Sequence, residues 1–242
     1  MVGTKAKPKL NQFLEPLGRL GDRIGLTPNK ITVIGFSISI LTGVMIYLSE
    51  FLTPKLEFFD CTYVFSQNTR ILFLAFALIF LFWSGFCDVF DGAVARFQNK
   101  ITVFGGFLDS VLDRYSDAIY VFSIIFSGYC ELYIGIFALI GSLLVSYTRA
   151  RAEAGGVESK HMAVGIAERS ERMLIICATI FLHGLFLYFN PNAFPDQRWG
   201  ALGWGMLIIA IITQITVVHR ILAAYKNFPK APITSENTDN TE

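Results

Sequence analysis

Two pairs of aspartates stand close together in the sequence, each at a spacing that places both side chains on one helix face. Asp88 and Asp91 are three residues apart, and Asp109 and Asp113 are four apart; these are the separations of side-chain neighbours on a helix. A linker of about eight residues joins the two segments, which is short enough to make them antiparallel neighbours. We therefore expect the four carboxylates to face one another.

Four ionised carboxylates side by side are unfavourable in a medium of low dielectric constant, so either their pKa values rise or cations neutralise them. Donors that are all oxygen favour hard divalent ions such as Mg²⁺, Ca²⁺ or Mn²⁺. No His or Cys stands at ligand spacing beside them, which disfavours zinc. Gly92 and Gly105 fall on the same cleft without side chains, so a bulky ligand can approach the backbone. The combination indicates a phosphate-bearing ligand bound through a metal.

The residues from Asp88 to Asp113 form the pattern Asp-x2-Asp-Gly-x2-Ala-Arg-x8-Gly-x3-Asp-x3-Asp. At all eight fixed positions this pattern resembles the signature of the CDP-alcohol phosphatidyltransferases. The resemblance implies an enzyme that moves the phospholipid phosphate of a CDP-linked lipid, CDP-diacylglycerol or CDP-archaeol, onto a small alcohol and releases CMP. It also implies two divalent ions, Mg²⁺ or Mn²⁺, and a homodimer.

The resemblance further implies roles for individual residues. Two metals would be held by Asp88, Asp91, Asp109 and Asp113. Asp113 matches the residue that serves as general base and takes the proton of the attacking alcohol. The nucleotide is expected to border residues at the start of the first span and in the motif: Asn29, Thr32, Asp88, Asp91, Gly92, Ala95, Arg96 and Gly105.

Arginines on the same side of the predicted membrane bundle are candidates for binding the acceptor alcohol. Arg149, Arg169 and Arg172 stand at span ends, where they either anchor the protein by the positive-inside rule or bind an acceptor phosphate through guanidinium forks. The strings around them resemble the branch of the family that makes phosphatidylinositol phosphate or archaetidylinositol phosphate. Inositol phosphate is therefore the expected acceptor, glycerol 3-phosphate the alternative, and a CDP-inositol donor a third reading.

Composition and hydropathy indicate an all-α integral membrane protein. The 242 residues are 53% hydrophobic and 16% charged, with a mean hydropathy of +0.52, whereas soluble domains carry about 25% charged residues. A transmembrane helix needs roughly 20 apolar residues. Six segments meet this need: Asn29–Leu48, Ile71–Ala95, Gly105–Phe126, Leu132–Tyr147, Arg172–Phe189 and Gly200–Tyr225.

The ends of the chain have a different character from the spans. Residues 1–28 form a juxtamembrane segment whose stretch Leu10–Ile24 has the apolar spacing of an amphipathic helix lying in the membrane interface. Thr27 is a candidate N-cap for the first span. Residues 29–228 form the six-helix catalytic domain, and residues 229–242 a disordered tail. Lys and Arg concentrate on one side, which predicts cytoplasmic termini and a cytoplasmic active site in the plasma membrane.

Other classes of protein fit less well. A net charge of +1 provides no global field to recruit nucleic acid. A divalent-cation transporter would need polar residues along a path to the far side, and the two acidic spans have few beyond the cluster. An intramembrane aspartyl protease needs two aspartates on separate spans and not four in a fixed motif. The four cysteines show no metal-ligand spacing.

Overall fold

The structure of the chain, a computed structural model, describes residues 15–52, 63–190, 192–194 and 196–228. All regular elements within these residues are helical, as the sequence predicts. Helix α1 covers residues 15–23. It is followed by α2 (Pro28–Phe51), α3 (Tyr63–Phe97), α4 (Val103–Phe126), α5 (Leu132–Ala154), α6 (Ser159–Met162), α7 (Arg169–Phe189), a 3-10 turn (Gln197–Trp199) and α8 (Ala201–Asn227).

Several helices extend beyond the apolar segments that predict them. Helix α3 begins at Tyr63 rather than Ile71, α5 continues to Ala154, and α7 begins at Arg169. Backbone hydrogen bonds continue a helix whether or not its side chains are apolar, and polar ends can project past the hydrocarbon. With 35 residues, α3 is about 52 Å long, which exceeds the roughly 30 Å of a bilayer core.

Within the described residues, five helices are long and apolar enough to cross a membrane: α2, α3 from Asn68 onward, α5, α7 and α8. Helix α4 is not among them, because its 24 residues include Asp109, Asp113, Arg114 and Asp117. The six spans of the sequence prediction therefore exceed by one the number that length and composition identify. The additional predicted span is the helix that carries half of the acidic motif.

Helix ends beside the motif differ from expectation at one position. Thr27 makes no side-chain cap to α2, which begins at Pro28, a residue with no N–H group to leave unsatisfied. Thr102 does cap α4, since its Oγ1 accepts a hydrogen bond from the Gly105 N–H at 2.9 Å. The turn between α3 and α4 includes Asn99 with a φ of 50°, a conformation that Asn adopts more readily than most residues. These features reverse the chain between the two acidic helices.

Helix α1 lies along the end of α3. Gln98 Nε2 donates hydrogen bonds to Asp22 Oδ1 and to the Leu26 carbonyl, both at 3.1 Å. The predicted interfacial helix spans Leu10–Ile24, and its part before residue 15 lies outside the described residues, as does the predicted tail at 229–242.

The two acidic helices, expected from the sequence to be direct neighbours, pack closely against α2 and not against each other. Helix α2 packs against both α3 and α4, α5 packs against α8, and α7 packs against α3 and α8. Buried hydroxyls join α2, α3 and α4, since Tyr120 Oη donates to Ser39 Oγ at 2.7 Å, and Ser39 Oγ lies 2.7 Å from Ser84 Oγ. The polar contact fixes α2, α3 and α4 together next to the acidic motif.

Candidate active site

Three of the four motif aspartates form one cluster at the meeting of α3 and α4. One carboxylate oxygen from each of Asp88, Asp109 and Asp113 lies within 4.8 Å of the others. Asp91 lies beside this group, where its Oδ2 accepts a hydrogen bond from Thr32 Oγ1 of α2 at 2.7 Å. The helical spacings of the sequence thus bring three carboxylates together and hold the fourth next to them against α2.

The acidic cluster fits a divalent cation. Asp109 Oδ1 is buried and has no hydrogen-bond partner among the described residues, which is costly for a carboxylate oxygen unless a cation or water binds it. The cluster offers only oxygen donors, the ligand type that Mg²⁺ and Mn²⁺ prefer. The donor set therefore agrees with the hard-cation site predicted from the sequence.

Arg169, at the first position of α7, bridges two of the carboxylates. Its Nη1 lies 2.7 Å from Asp88 Oδ1 and 2.7 Å from Asp113 Oδ1. Both Arg169 and Asp113 are largely shielded from solvent, with side chains 18% and 19% exposed. The guanidinium thus offsets part of the negative charge of the cluster and carries a phosphate-binding group directly to it.

A cleft of about 220 Å³ opens next to the cluster between α2, α3 and α4. Seven of the eight residues expected to border the nucleotide line it, and the eighth, Asp88, lines a smaller adjoining recess. The seven residues are Asn29, Thr32, Asp91, Gly92, Ala95, Arg96 and Gly105. Sequence reasoning missed Lys100 and Thr102, which also line the cleft; their place in the short linker between two motif segments was the available signal.

Two glycines keep this cleft open. A Cβ atom at Gly105 would lie 2.9 Å from Thr102 Oγ1 and 3.1 Å from Asn29 Oδ1, closer than side chains normally approach. A Cβ atom at Gly92 would lie 3.4 Å from the end of the Arg96 side chain. A side chain at either position would therefore take up space in the cleft, and a side chain at Gly92 would also contact the Arg96 guanidinium.

The three predicted acceptor arginines are not equivalent. Arg149 Nε lies 3.0 Å from Glu153 Oε1 and its Nη1 lies 3.8 Å from Glu168 Oε1, with the arginine side chain 40% exposed. Arg169 reaches the acidic cluster. Arg172 is buried and bound to the Asp117 carboxylate and the Ala167 carbonyl, so its guanidinium is engaged within the protein.

One further arginine lies at this end and is not among the site residues predicted from the sequence. Arg220 of α8 is buried and donates to the Val145 carbonyl at 2.5 Å and to the Val164 carbonyl at 3.2 Å. Its Nη2 lies 3.4 Å from Glu168 Oε1. A charged residue in an otherwise apolar helix was the signal for this role, because such a group must find internal partners.

The amino-acid sequence of the chain matches a known protein family. A family model described as CDP-alcohol phosphatidyltransferase matches residues 25–225. The chain is 38% identical over 223 residues to an archaetidylinositol phosphate synthase of Pyrococcus horikoshii, covering 92% of this chain and 96% of that one. The residues that the family model matches include the whole acidic motif and the segments that carry Arg149, Arg169 and Arg172.

The chain is also similar to proteins whose structures have been solved. The chain resembles the phosphatidylinositol phosphate synthase of Mycobacterium tuberculosis crystallised with CDP-DAG, with 25% identity, a TM-score of 0.60, and coverage of 88% of this chain and 94% of that chain. It also resembles the same synthase crystallised with manganese and citrate, with 26% identity, a TM-score of 0.59, and coverage of 88% of both chains.

Proposed function

The chain belongs to the CDP-alcohol phosphatidyltransferase family and is therefore a membrane phosphotransferase of phospholipid biosynthesis; from this premise we propose that it transfers the phospholipid phosphate of a CDP-linked lipid to a hydroxyl of inositol phosphate and releases CMP. The observation that carries this proposal is the contact of Arg169 with Asp88 and Asp113 at 2.7 Å. It puts a guanidinium suited to a phosphate-bearing acceptor beside the carboxylates of the reaction centre.

The donor is assigned to the cleft between α2, α3 and α4. Its Arg96 and Lys100 supply positive charge for the diphosphate, and Gly92 and Gly105 leave room for it. A relative crystallised with CDP-DAG supports this class of ligand. The lipid tails would pass from the cleft into the membrane, since the helices that border it are apolar on their outer faces.

Two divalent ions, Mg²⁺ or Mn²⁺, would be held by Asp88, Asp91, Asp109 and Asp113. When bound, they supply charge neutralisation of the diphosphate and stabilisation of the departing oxygen. The unpartnered Asp109 Oδ1 and a relative crystallised with manganese support the assignment. Thr32 positions Asp91 through its 2.7 Å hydrogen bond.

Asp113 is assigned as the general base. The acceptor oxygen forms a bond to the phosphorus that carries the lipid, the bond from that phosphorus to the CMP oxygen breaks, and the hydroxyl proton passes to an Asp113 carboxylate oxygen. Arg169 is held at Asp113, so a phosphate bound to this arginine would bring its alcohol close to the base. Positioning of this kind accounts for a large part of the rate enhancement in such reactions.

The acceptor phosphate is assigned to Arg169 and Arg149. Glu168 precedes Arg169 and lies 3.8 Å from the Arg149 guanidinium, which keeps the two arginines at one end of the bundle. Arg172 is withdrawn from the ligand set, because its guanidinium is buried against Asp117. The naming of a relative as an archaetidylinositol phosphate synthase supports inositol phosphate over glycerol 3-phosphate.

The membrane arrangement is proposed as six crossing helices with α1 in the interface. Helix α4 would cross with its acids facing the bundle, which makes a charged span tolerable, since Asp117 is buried and Phe104, Phe122 and Phe126 are exposed. The termini and site would face the cytoplasm at the plasma membrane. The homodimer and the division into residues 1–28, 29–228 and 229–242 stay predictions.

A single assay tests the proposed function. Purified protein receives CDP-diacylglycerol or CDP-archaeol, Mg²⁺ or Mn²⁺, and separately inositol phosphate, inositol or glycerol 3-phosphate, while CMP release is measured. We expect metal-dependent CMP release with inositol phosphate, and its loss on chelation. Release with glycerol 3-phosphate alone contradicts the acceptor assignment, and no release with any acceptor contradicts the reaction.

A further inference from the structure

A second acid–arginine pair lies deeper in the bundle than the reaction centre. Arg172 Nη2 lies 2.5 Å from Asp117 Oδ2, with side chains only 4% and 9% exposed. The other terminal nitrogen of Arg172 donates to the Ala167 carbonyl at 2.7 Å. The guanidinium therefore joins α4 to the backbone that leads into α7.

The two acid–arginine pairs lie one helical turn apart and join the same two helices, α4 and α7. Asp113 and Asp117 are four residues apart on α4, and Arg169 and Arg172 are three apart on α7, so each set shares a helix face. Arg169 contacts Asp113 and Arg172 contacts Asp117. The Asp113–Arg169 pair lies at the site, and the buried Asp117–Arg172 pair lies one turn further along each helix.

These helices are not close packing partners. Helix α4 packs against α2 and α5, whereas α7 packs against α3 and α8. Long side chains therefore bridge the space between α4 and α7 at the level of the site. The ion pairs Asp113–Arg169 and Asp117–Arg172 join the two helices there, and Asp117–Arg172 is the more buried of the two.

We propose that Asp117 and Arg172 are positioning residues for phosphoryl transfer: they hold the start of α7 where Arg169 meets Asp88 and Asp113. This inference rests on the proposed function, in which Arg169 binds the acceptor phosphate. Neither Asp117 nor Arg172 lines the donor cleft, so their effect reaches the reaction through Arg169.

The chemistry of the pair suits this role. A guanidinium is planar, and its donors point in fixed directions; Arg172 uses two of them for two different partners, Asp117 and Ala167. A carboxylate and a carbonyl in those directions define one orientation of α7 relative to α4. Apolar residues of similar volume would fill the space but would not select this orientation so strictly.

The test removes both charges together, because a single change would leave one buried charge without its partner. In Asp117→Asn combined with Arg172→Gln, we expect kcat/KM for inositol phosphate to fall about ten- to hundred-fold, as displaced reacting groups do. The affinity for CDP-diacylglycerol, measured by titration with Mn²⁺ present, should remain near that of the unmodified protein. Arg172→Lys retains the charge without the fork and should recover only part of the loss.

A matched control is available at the opposite end of the bundle. Glu50 and Arg70 form a shielded ion pair at 2.9 Å between α2 and α3. Glu50→Gln combined with Arg70→Gln removes a comparable pair far from the site, and we expect the acceptor kinetics to be retained in it.

Three outcomes overturn the positioning role. They are unchanged acceptor kinetics in the folded Asp117/Arg172 double variant, equal losses of donor and acceptor binding, and failure of both this double variant and Arg172→Lys to fold, which would make the pair purely structural. If instead the unmodified protein releases no CMP with any acceptor, the proposed function fails. The unmodified protein is assayed in the same preparation, so the two failures are distinguished.

Discussion

Arg169 and the carboxylates that it contacts illustrate how a few side chains define this site. Its Nη1 lies 2.7 Å from both Asp88 Oδ1 and Asp113 Oδ1, so one cation and two anions share a shielded space. Each of these groups therefore depends on the others for charge balance, and a change in one alters how the others bind metal and substrate.

Replacement of Asp113 tests the general base. Asp113→Asn keeps the size of the side chain but cannot accept the alcohol proton, so we expect kcat to fall about 10²- to 10⁴-fold. The affinity for the CDP-linked lipid should be largely retained, whereas Asp88→Asn should weaken it. Rapid-quench measurement of CMP and a lipid-binding titration separate the two. Equal losses of lipid affinity in both variants would reassign Asp113 as a metal ligand alone.

Replacement of Arg169 tests the competition between arginine and metal for the carboxylates. Arg169→Gln removes a positive charge that lies 2.7 Å from two of them. We expect Mn²⁺ to bind about ten-fold more tightly, which corresponds to about 1.4 kcal/mol, while KM for inositol phosphate rises. Calorimetric titration of the protein with Mn²⁺ measures the first effect without turnover.

Arg149→Gln is the control for that measurement. Arg149 pairs with Glu153 and Glu168 and with none of the clustered aspartates, so we expect its Mn²⁺ affinity to stay unchanged. Weaker Mn²⁺ binding in Arg169→Gln than in Arg149→Gln would show that Arg169 supports the metal site and does not compete with the metal.

At the scale of elements, the site depends on how α3 and α4 meet across a short turn. Thr102 caps α4 and Asn99 adopts a left-handed conformation, so the chain reverses within the linker. Helix α4 then turns Asp109 and Asp113 toward Asp88 of α3 and presents Phe104, Phe122 and Phe126 outward. The same reversal brings Gly92 and Gly105 to one cleft.

A methyl group at Gly92 tests whether the cleft is the donor site. Gly92→Ala should leave the melting temperature unchanged or slightly higher, because Ala favours helices over Gly by about 0.5–1 kcal/mol and the nearest atoms belong to the flexible end of Arg96. The affinity for the CDP-linked lipid should fall, because the methyl group occupies cleft space. Thermal unfolding in detergent and a lipid-binding titration measure the two effects.

Gly184→Ala provides the comparison, since its Cβ would meet nothing within 4 Å and Gly184 lines an apolar groove between α3 and α7 away from the acids. We expect unchanged lipid affinity in this variant. Equal affinities in the Gly92 and Gly184 variants would mean that the donor binds elsewhere.

At the scale of the whole molecule, the two ends of the bundle differ in how their arginines are used. At the far end, Arg70 pairs with Glu50, and Arg198 pairs with Glu131 and Asp196. At the site end, Arg149 is partly exposed and Arg96 lines the open cleft. Basic residues near helix ends concentrate on the cytoplasmic side of a membrane, so we predict that the site end, with its more exposed arginines, faces the cytoplasm.

Labelling of single cysteines tests this orientation. Lys160 lies in the exposed segment between α5 and α7 at the site end, and Asn192 is exposed at the far end. In variants without native cysteines, we expect a membrane-impermeant maleimide to label Asn192→Cys in intact cells and Lys160→Cys only in inverted vesicles. The opposite labelling pattern would reverse the proposed topology.

The sequence by itself determined the all-helical class and the acidic motif, and its resemblance to a family implied the cleft residues. The class and the motif follow from local rules: helical periodicity fixes which side chains share a face, and a short linker keeps the adjoining ends of two helices close together. The cluster of Asp88, Asp109 and Asp113 could therefore be expected from neighbouring segments alone, whereas Asn29 and Thr32 reach the cleft from α2, a distant segment of the chain.

Only the tertiary structure decided which partner each arginine contacts and how exposed its side chain is. Arg149, Arg169 and Arg172 look alike in sequence, yet one is partly exposed, one reaches the acids and one is buried against Asp117. Arg220 was likewise found to be buried and bound to backbone carbonyls. The physical reason is that an arginine side chain spans several ångströms, so its partner depends on which helices lie within reach, and the packing of distant segments sets that.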